Sequence, residues 1–139
     1  MTKEEIMEFI NANLACNLAT VEGDKPHVRG MMAYKADENG IIFHTGSAKD
    51  LYKQIQTNPN VEVCFYSAEK NIQVRVEGKA VIKDDMALKE EIVEARPFLQ
   101  PWVEARGYEM LAVFQVTECS AYAWSMETNF AAKVPIKLF

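Results

Sequence analysis

The sequence predicts a mostly β protein, folded as a small closed antiparallel barrel with helices at its periphery. Most of the strand-like segments are joined by short connections, which favours antiparallel pairing. Residues 72–83 alternate most clearly, because apolar and polar residues take turns along the segment, as in a strand with one buried side. The candidate strands, six or seven in total, are residues 14–21, 27–35, 41–45, 61–67, 72–83, 110–117 and 120–125.

Two peripheral helices are predicted where a capping residue precedes an apolar stripe. Thr2 and Glu5 have the spacing of a capping box, so we expect a helix over residues 2–13. Asp84 can cap another helix over residues 84–95.

The composition is that of a small globular domain, with 49% apolar and 25% charged residues. No repeat or low-complexity linker divides residues 1–139, so we expect one domain. The net charge of −5 argues against a nucleic-acid-binding surface, and no run of about 20 apolar residues predicts a membrane span. The three cysteines are far apart and lie in apolar runs, which indicates buried thiols in the reducing cytoplasm.

A polar, cationic turn over residues 45–49 follows the third predicted strand and opens a helix over residues 47–56. Ser47 and Asp50 have the spacing of a helix N-cap and its acidic partner. The free N–H groups and positive dipole end of that helix, together with Lys49, would suit a phosphate group. A well-capped helix between two strands explains the same residues, so the rest of the chain must decide between the two interpretations.

Arg29 lies on the second predicted strand, with His27 and Met31 on the same face. Consecutive strands are usually neighbours, so this cation is expected to lie beside the turn that carries Lys49. Arginine suits bidentate binding of phosphate, and Gly30 would let a flat ligand approach the backbone closely. The alternative is a solvated surface cation.

Conventional catalytic groups are scarce in this chain. His27 and His44 are the only histidines, and neither has a His or Cys neighbour at metal-ligand spacing, which argues against a metal site. No GxSxG elbow, glycine-rich phosphate loop or Rossmann fingerprint is present, and Cys64 lies within an apolar strand like an inert thiol. Any difficult chemistry would therefore depend on a bound cofactor.

Four segments match one known family in their order and spacing. They are Arg29-Gly30-Met31-Met32-Ala33-Tyr34, then His44-Thr45 followed by Lys49, then Gln73-Val74-Arg75-Val76-Glu77-Gly78-Lys79-Ala80, and finally Trp124. Over nearly its whole length the chain resembles the pyridoxamine 5′-phosphate oxidase-related group of FMN-binding split barrels. This resemblance implies a six-stranded antiparallel split β-barrel that holds FMN at the interface of a homodimer.

The resemblance also implies which residues contact the cofactor. In that family an arginine corresponding to Arg29 contacts the FMN phosphate, a glutamine corresponding to Gln73 faces the flavin ring, and an aromatic residue at the position of Trp124 comes from the second subunit. The implied cofactor-binding residues are Arg29, Gly30, Met31, Met32, His44, Thr45, Ser47, Lys49, Gln73 and Trp124.

The chain departs from the pyridoxal-phosphate-forming enzymes at their substrate motif. Those enzymes carry an arginine and a histidine near the C-terminus, whereas residues 125–130 contain neither and no arginine follows Arg106. We therefore do not expect this protein to oxidise pyridoxamine phosphate. The phosphate-binding turn is also leaner, with Ser47-Ala48-Lys49 where those enzymes have Arg-Lys.

His44 is the one candidate for a catalytic role. It is similar to a histidine found at this strand end in nitroimidazole-resistance relatives. Near a flavin, its imidazole could donate a hydrogen bond to substrate or shuttle a proton near neutral pH. A structural histidine that holds a backbone carbonyl explains the same position.

Two functions from different classes remain open. In the first, the protein is an FMN-dependent oxidoreductase that passes electrons from a small-molecule donor, such as a reduced nicotinamide, to a small electrophilic acceptor. In the second, it is a non-catalytic module that stores, senses or delivers flavin. A nitroimidazole-reductase-like resistance protein is a variant of the first, and a barrel adapted to heme or a deazaflavin is a third possibility.

Overall fold

The computed structural model describes residues 1–139. The chain folds into one antiparallel sheet of eight strands. The strands are β1 (Ala15–Glu22), β2 (Lys25–Met32), β3 (Lys35–Asp37), β4 (Gly40–Gly46), β5 (Asn60–Ser67), β6 (Ile72–Lys83), β7 (Leu111–Trp124) and β8 (Ile136–Lys137). Hydrogen-bonded neighbours follow the order β2-β1-β5-β6-β7-β4-β3, and β8 pairs with β7. Every pair is antiparallel, as the short connections predicted.

The two ends of this sheet are joined by the short segment between β2 and β3. The Ala33 N–H donates to the carbonyl of Leu14, next to β1, and the Tyr34 N–H donates to the carbonyl of Ile42 in β4, both at 2.8 Å. β2 and β3 therefore act as one bent strand that pairs on both sides and closes the sheet. Counted in this way, with β8 as a short addition, the barrel has six strands and the predicted split-barrel fold is confirmed.

The barrel interior is filled by large apolar side chains. Phe43, Phe65 and Phe114 are fully buried, and the rings of Phe43 and Phe114 stack with their centroids 5.2 Å apart. Val74 and Val76 of β6 also face inward, as the alternating pattern predicted. Burial of one such side chain contributes about 1.5–3 kcal/mol, so this core holds the strand ends at fixed positions.

Four helices lie outside the barrel, and none is long and apolar enough to cross a membrane. They are α1 (Lys3–Ala12), α2 (Asp50–Thr57), α3 (Met86–Ala95) and α4 (Gln100–Arg106). The predicted capping box of α1 is confirmed. Thr2 Oγ1 accepts from the Glu5 N–H at 3.1 Å, and Glu5 Oε2 accepts from the Thr2 N–H at 2.8 Å.

Two predicted helix starts are wrong. α2 begins at Asp50 and its N-cap is Lys49, so Ser47 does not cap it; the Ser47 N–H instead donates to the carbonyl of Met110 at 2.9 Å. α3 is capped by Asp85 and not by Asp84, because the Asp85 carboxylate accepts from the N–H of the third helical residue. No side chain caps α2, and α3 begins one residue later than predicted because the second of two adjacent aspartates caps it.

The last two predicted strands, residues 110–117 and 120–125, form one continuous strand, β7. β7 runs through residues 117–120 without reversing, and Glu118 absorbs the irregularity with a φ of 52°. Opposite this point the β6–β7 register shifts between Glu77 and Lys79, which marks a β-bulge. Gly78 lies in the bulge, where a Cβ would stand 2.7 Å from Val116 Cγ1, so the close packing requires glycine.

Candidate functional site

The side chain of Arg29 is fixed by hydrogen bonds and is not a freely solvated cation. Its Nη1 donates to Thr20 Oγ1 at 2.8 Å, and its Nη2 donates to Gln54 Oε1 in α2 at 2.6 Å. Thr20 and Gln54 are both buried, and the Thr20 hydroxyl also donates to Gln54 Oε1. Burial lowers the pKa of Arg29, and the nearby Asp50 carboxylate opposes that shift. The guanidinium is thereby held against α2.

The N-terminus of α2 has no side-chain cap. Lys49 occupies the N-cap position with extended backbone angles, and no side chain accepts from the first-turn N–H groups. The aliphatic stem of Lys49 lies beside Gly46, with its Cγ 3.5 Å from the point where a Cβ would stand. The open N–H groups, the helix dipole and the Lys49 ammonium contribute positive charge at this end of α2, and the Asp50 carboxylate in its first turn offsets part of it.

Thr45 and His44 point to opposite faces of β4, because side chains alternate along a strand. Thr45 is 6% exposed and lies on the barrel side with Phe43. His44 lies on the outer side with Ile42, which packs against Ile92 of α3. Thr45 and His44 were both predicted to contact the cofactor, but Thr45 faces the barrel interior and His44 faces α3.

His44 is bonded to an arginine that the sequence did not single out. Arg96 Nη1 lies 2.8 Å from His44 Nε2, and the same guanidinium donates to the carbonyls of Met32 at 3.3 Å and Ala33 at 2.6 Å. Arg96 thus joins the end of β4 to the end of β2. Burial, followed by the positive charges of Arg96 and Lys49, lowers the pKa of His44 to about 4. The imidazole is therefore neutral at pH 7.

Gln73 and Trp124 form a second group on neighbouring strands. They are direct register partners between β6 and β7. Together with Arg75 and the chain after β7 they line a cavity of about 550 Å³. Trp124 Nε1 donates to Asn129 Oδ1 at 2.9 Å, which fixes the indole at the mouth of this cavity.

Ser47 follows β4, where its N–H donates to the Met110 carbonyl, and the other three predicted residues lie on β2, which forms an outer edge of the sheet path along its length. Gly30 has no atom within 4 Å of the position of a Cβ, so its backbone is open to approach. Met32 is 52% exposed, whereas Met31 packs partly against the barrel core. The open side of β2 therefore offers backbone and one flexible apolar side chain.

Within one chain the predicted residues separate into two groups. Residues on successive strands form rows across the sheet, and Gln73 on β6 lies three strands away from β2. At about 4.8 Å per strand spacing, the path along the curved sheet from β2 to β6 is roughly 14 Å. The first group contains Arg29, Lys49 and the β2 edge, and the second contains Gln73 and Trp124.

The family model described as pyridoxamine 5′-phosphate oxidase matches residues 2–121 of this chain. The chain belongs to this family. Members of the pyridoxamine 5′-phosphate oxidase family commonly bind flavin, are often dimers and include oxidoreductases.

Two relatives of known name are similar to this chain in sequence. General stress protein 26 of Bacillus subtilis (strain 168) is 28% identical over 119 residues, which cover 82% of this chain and 81% of the relative. The pyridoxine/pyridoxamine 5′-phosphate oxidase of Haemophilus influenzae (strain 86-028NP) is 38% identical over 80 residues, or 57% of this chain. The match spans only 38% of the length of that oxidase.

Solved structures share the fold over nearly the whole chain. A NimC/NimA family protein from Clostridium acetobutylicum superposes with a TM-score of 0.79 at 26% identity, covering 98% of this chain and 92% of that one. General stress protein 26 from Bacillus anthracis str. Sterne superposes with a TM-score of 0.73 at 23% identity and covers 98% of both chains. The second likeness concerns the fold alone.

Proposed function

We propose that this protein binds FMN at a homodimer interface and acts as an oxidoreductase on a small molecule. The observation that carries the proposal is the N-terminus of α2, where Lys49 occupies an uncapped end and the Arg29 guanidinium is bonded to Gln54 of the same helix. In a family that commonly binds flavin, these groups fit a phosphate ester.

The residues present fit the two ends of FMN. Of the five N–H donors of Arg29, those on Nη1 contact Thr20 and the carbonyls of Leu18 and His27, and one on Nη2 contacts Gln54. The Nε donor and the second Nη2 donor are left for a phosphate. The open backbone at Gly30 and the exposed Met32 fit one face of a planar ring. Once bound, FMN would supply the two-electron chemistry, and the protein would hold, orient and shield it.

The homodimer follows from the separation of the two groups. A flavin held at Arg29 and Lys49 would not contact Gln73 of the same chain, because β6 lies opposite β2 in the closed barrel and the barrel core lies between them. A two-fold axis would bring Gln73 and Trp124 from a second copy. The outer face of the sheet exposes the apolar side chains that such an interface would cover, namely Val28, Met32 and Tyr66.

Phosphate discrimination tests the cofactor assignment. In the Arg29→Ala/Lys49→Ala variant we expect FMN affinity to fall by about 100-fold or more, because two charge-assisted contacts of about 1.5–3 kcal/mol each are lost. Riboflavin affinity should change by less than about threefold, since riboflavin lacks the phosphate. Both affinities are measured by flavin fluorescence quenching.

Two matched variants sharpen this test. Lys49→Ala alone leaves the Arg29 network with Thr20 and Gln54 intact and should weaken FMN by about tenfold. Lys53→Ala removes an exposed lysine from the same helix and should leave FMN affinity unchanged. Equal losses of FMN and riboflavin, or a wild-type protein that takes up neither, would contradict the proposal.

A flavin carrier without robust turnover is the second candidate. It is favoured by the neutral state of His44, whose Nε2 is already engaged by Arg96, because this leaves the site without an evident general base. Anaerobic reduction by NADH or NADPH, followed by mixing with quinones and nitroimidazoles, separates the two functions. Reoxidation that saturates with one acceptor class identifies an enzyme, and slow reaction with every acceptor identifies a carrier.

A further inference from the structure

The contacts around His44 hold the side chain of Arg96 in one orientation. Its Nη2 donates to the Ala33 carbonyl at 2.6 Å, and its guanidinium carbon lies 5.5 Å from the centroid of the Tyr34 ring. Tyr34 is itself fixed, because its hydroxyl donates to Glu91 Oε2 at 2.6 Å. Arg96 therefore points at His44 through a set of contacts that does not depend on His44.

This geometry decides where the imidazole carries its proton. Arginine has only N–H donors and no acceptor, so His44 Nε2, 2.8 Å from Arg96 Nη1, must be the acceptor of that hydrogen bond. A neutral imidazole whose Nε2 accepts carries its hydrogen on Nδ1. Nδ1 has no hydrogen-bond partner in the chain. It is not one of the buried unpaired polar atoms either, so it is accessible to a ligand.

We propose that Arg96 is a positioning residue that holds His44 as the neutral Nδ1–H tautomer. His44 thereby presents a fixed hydrogen-bond donor to an oxygen of the electron acceptor at the β2 edge, to which Arg96 is bonded through the Met32 carbonyl. The substrate part rests on the proposed flavin-dependent reduction. The class of acceptor that fits is an oxygen-bearing electrophile such as a quinone or a nitro compound, because these need a hydrogen-bond donor and not a base at this position.

The charges around His44 agree with this assignment. The cations that face it are Arg96, after α3, and Lys49, before α2, and both disfavour an imidazolium. No carboxylate is among the groups that shift the pKa of His44, and the Glu91 carboxylate of this network contacts Tyr34 and Lys35. Together with burial, the two cations account for the low pKa of His44.

The tautomer can be read directly by long-range ¹H–¹⁵N NMR of the imidazole rings. The chain has only His27 and His44, and a His27→Gln variant assigns the signals. We expect the wild-type His44 ring to show the neutral Nδ1–H pattern near neutral pH. An Nε2–H pattern or a protonated His44 ring near neutral pH would overturn the proposal.

Matched variants test whether Arg96 is the cause. In Arg96→Met the Nε2–H tautomer should appear and the His44 titration midpoint should rise by about one pH unit, because a donor and a neighbouring cation are lost. Arg106→Met removes a guanidinium that lies over Trp102 instead, so it should leave the His44 signals unchanged. An Arg96→Met spectrum identical to wild type would overturn the proposal.

Two further points keep the test decisive. If Arg96→Met does not fold, Arg96→Lys retains a donor and a positive charge, so His44 should keep the Nδ1–H form; an Nε2–H form in that variant would contradict the proposal. The spectra are recorded with and without added FMN. A protein that binds no flavin can still show the Nδ1–H tautomer, which separates failure of the proposed function from failure of this inference.

Discussion

At the scale of single residues, the neutral state of His44 makes stability depend on pH. Its pKa is about 4 in the folded chain and 6.5 when unperturbed, so the unfolded state binds more protons between these values. Stability should therefore fall as the pH is lowered from 6.5 towards 4, by up to about 2–3 kcal/mol, and this contribution should be complete above 6.5. Urea unfolding across this range measures the slope.

Substitution of each histidine isolates the contribution of His44. His44→Gln removes the titrating group but keeps an acceptor for Arg96, so it should flatten the slope between pH 6.5 and 4 relative to wild type. His27→Gln leaves the His44–Arg96 pair in place and serves as the matched histidine variant. A wild-type slope in His44→Gln would show that other groups cause the acid sensitivity.

The residues of the candidate site differ in how far sequence could predict them. Arg29 and Lys49 stood out as cations in polar or glycine-containing surroundings, and the structure places both beside α2. Arg96 did not, because its partner His44 is 52 residues away and no local pattern marks the pair. Contacts of this range arise only when α3 folds back over β4.

At the scale of elements, the structure makes a specific prediction about the start of α3. Asp85→Ala should lower the free energy of unfolding by about 1 kcal/mol, because the Asp85 carboxylate caps the helix. Asp84→Ala should change it by less than about 0.5 kcal/mol, although the two residues are adjacent. Urea midpoints at one protein concentration measure both variants, and a larger loss in Asp84→Ala would contradict the observed cap.

Strand and helix positions were predictable where a pattern repeats over several residues. The alternation in β6 and the capping box at Thr2 both gave elements close to those observed. The continuity of β7 was not predictable, because a single positive φ at Glu118 bends the strand where its sequence suggests a turn. The β6–β7 register shifts at Gly78 opposite this point, and a register shift is a property of the pairing and not of either segment alone.

At the scale of the whole molecule, short connections and strand count were sufficient to predict an antiparallel barrel. They could not predict how the barrel distributes its functional side chains. Because β2 and β3 act as one strand, β6 with Gln73 lies three strand spacings from β2 in both directions round the barrel. This position on opposite sides of the barrel is the physical reason for proposing a shared site.

A shared site predicts complementation between two inactive variants. Arg29→Ala/Lys49→Ala damages the phosphate side, and Gln73→Ala/Trp124→Ala damages the ring side, so neither homodimer should retain FMN. A heterodimer purified with two different tags has one site with both sides intact and one with both sides lost. It should therefore bind about one FMN per two chains.

The alternative arrangement gives the opposite result. If each site came from a single chain, both sites of the heterodimer would carry half of the damage and neither would retain FMN. Wild-type protein, treated in the same way, should hold about two FMN per dimer and serves as the reference for recovery. Sedimentation of the flavin-loaded wild type as a monomer would contradict the shared site independently, because Gln73 and Trp124 would then have no partner subunit to reach.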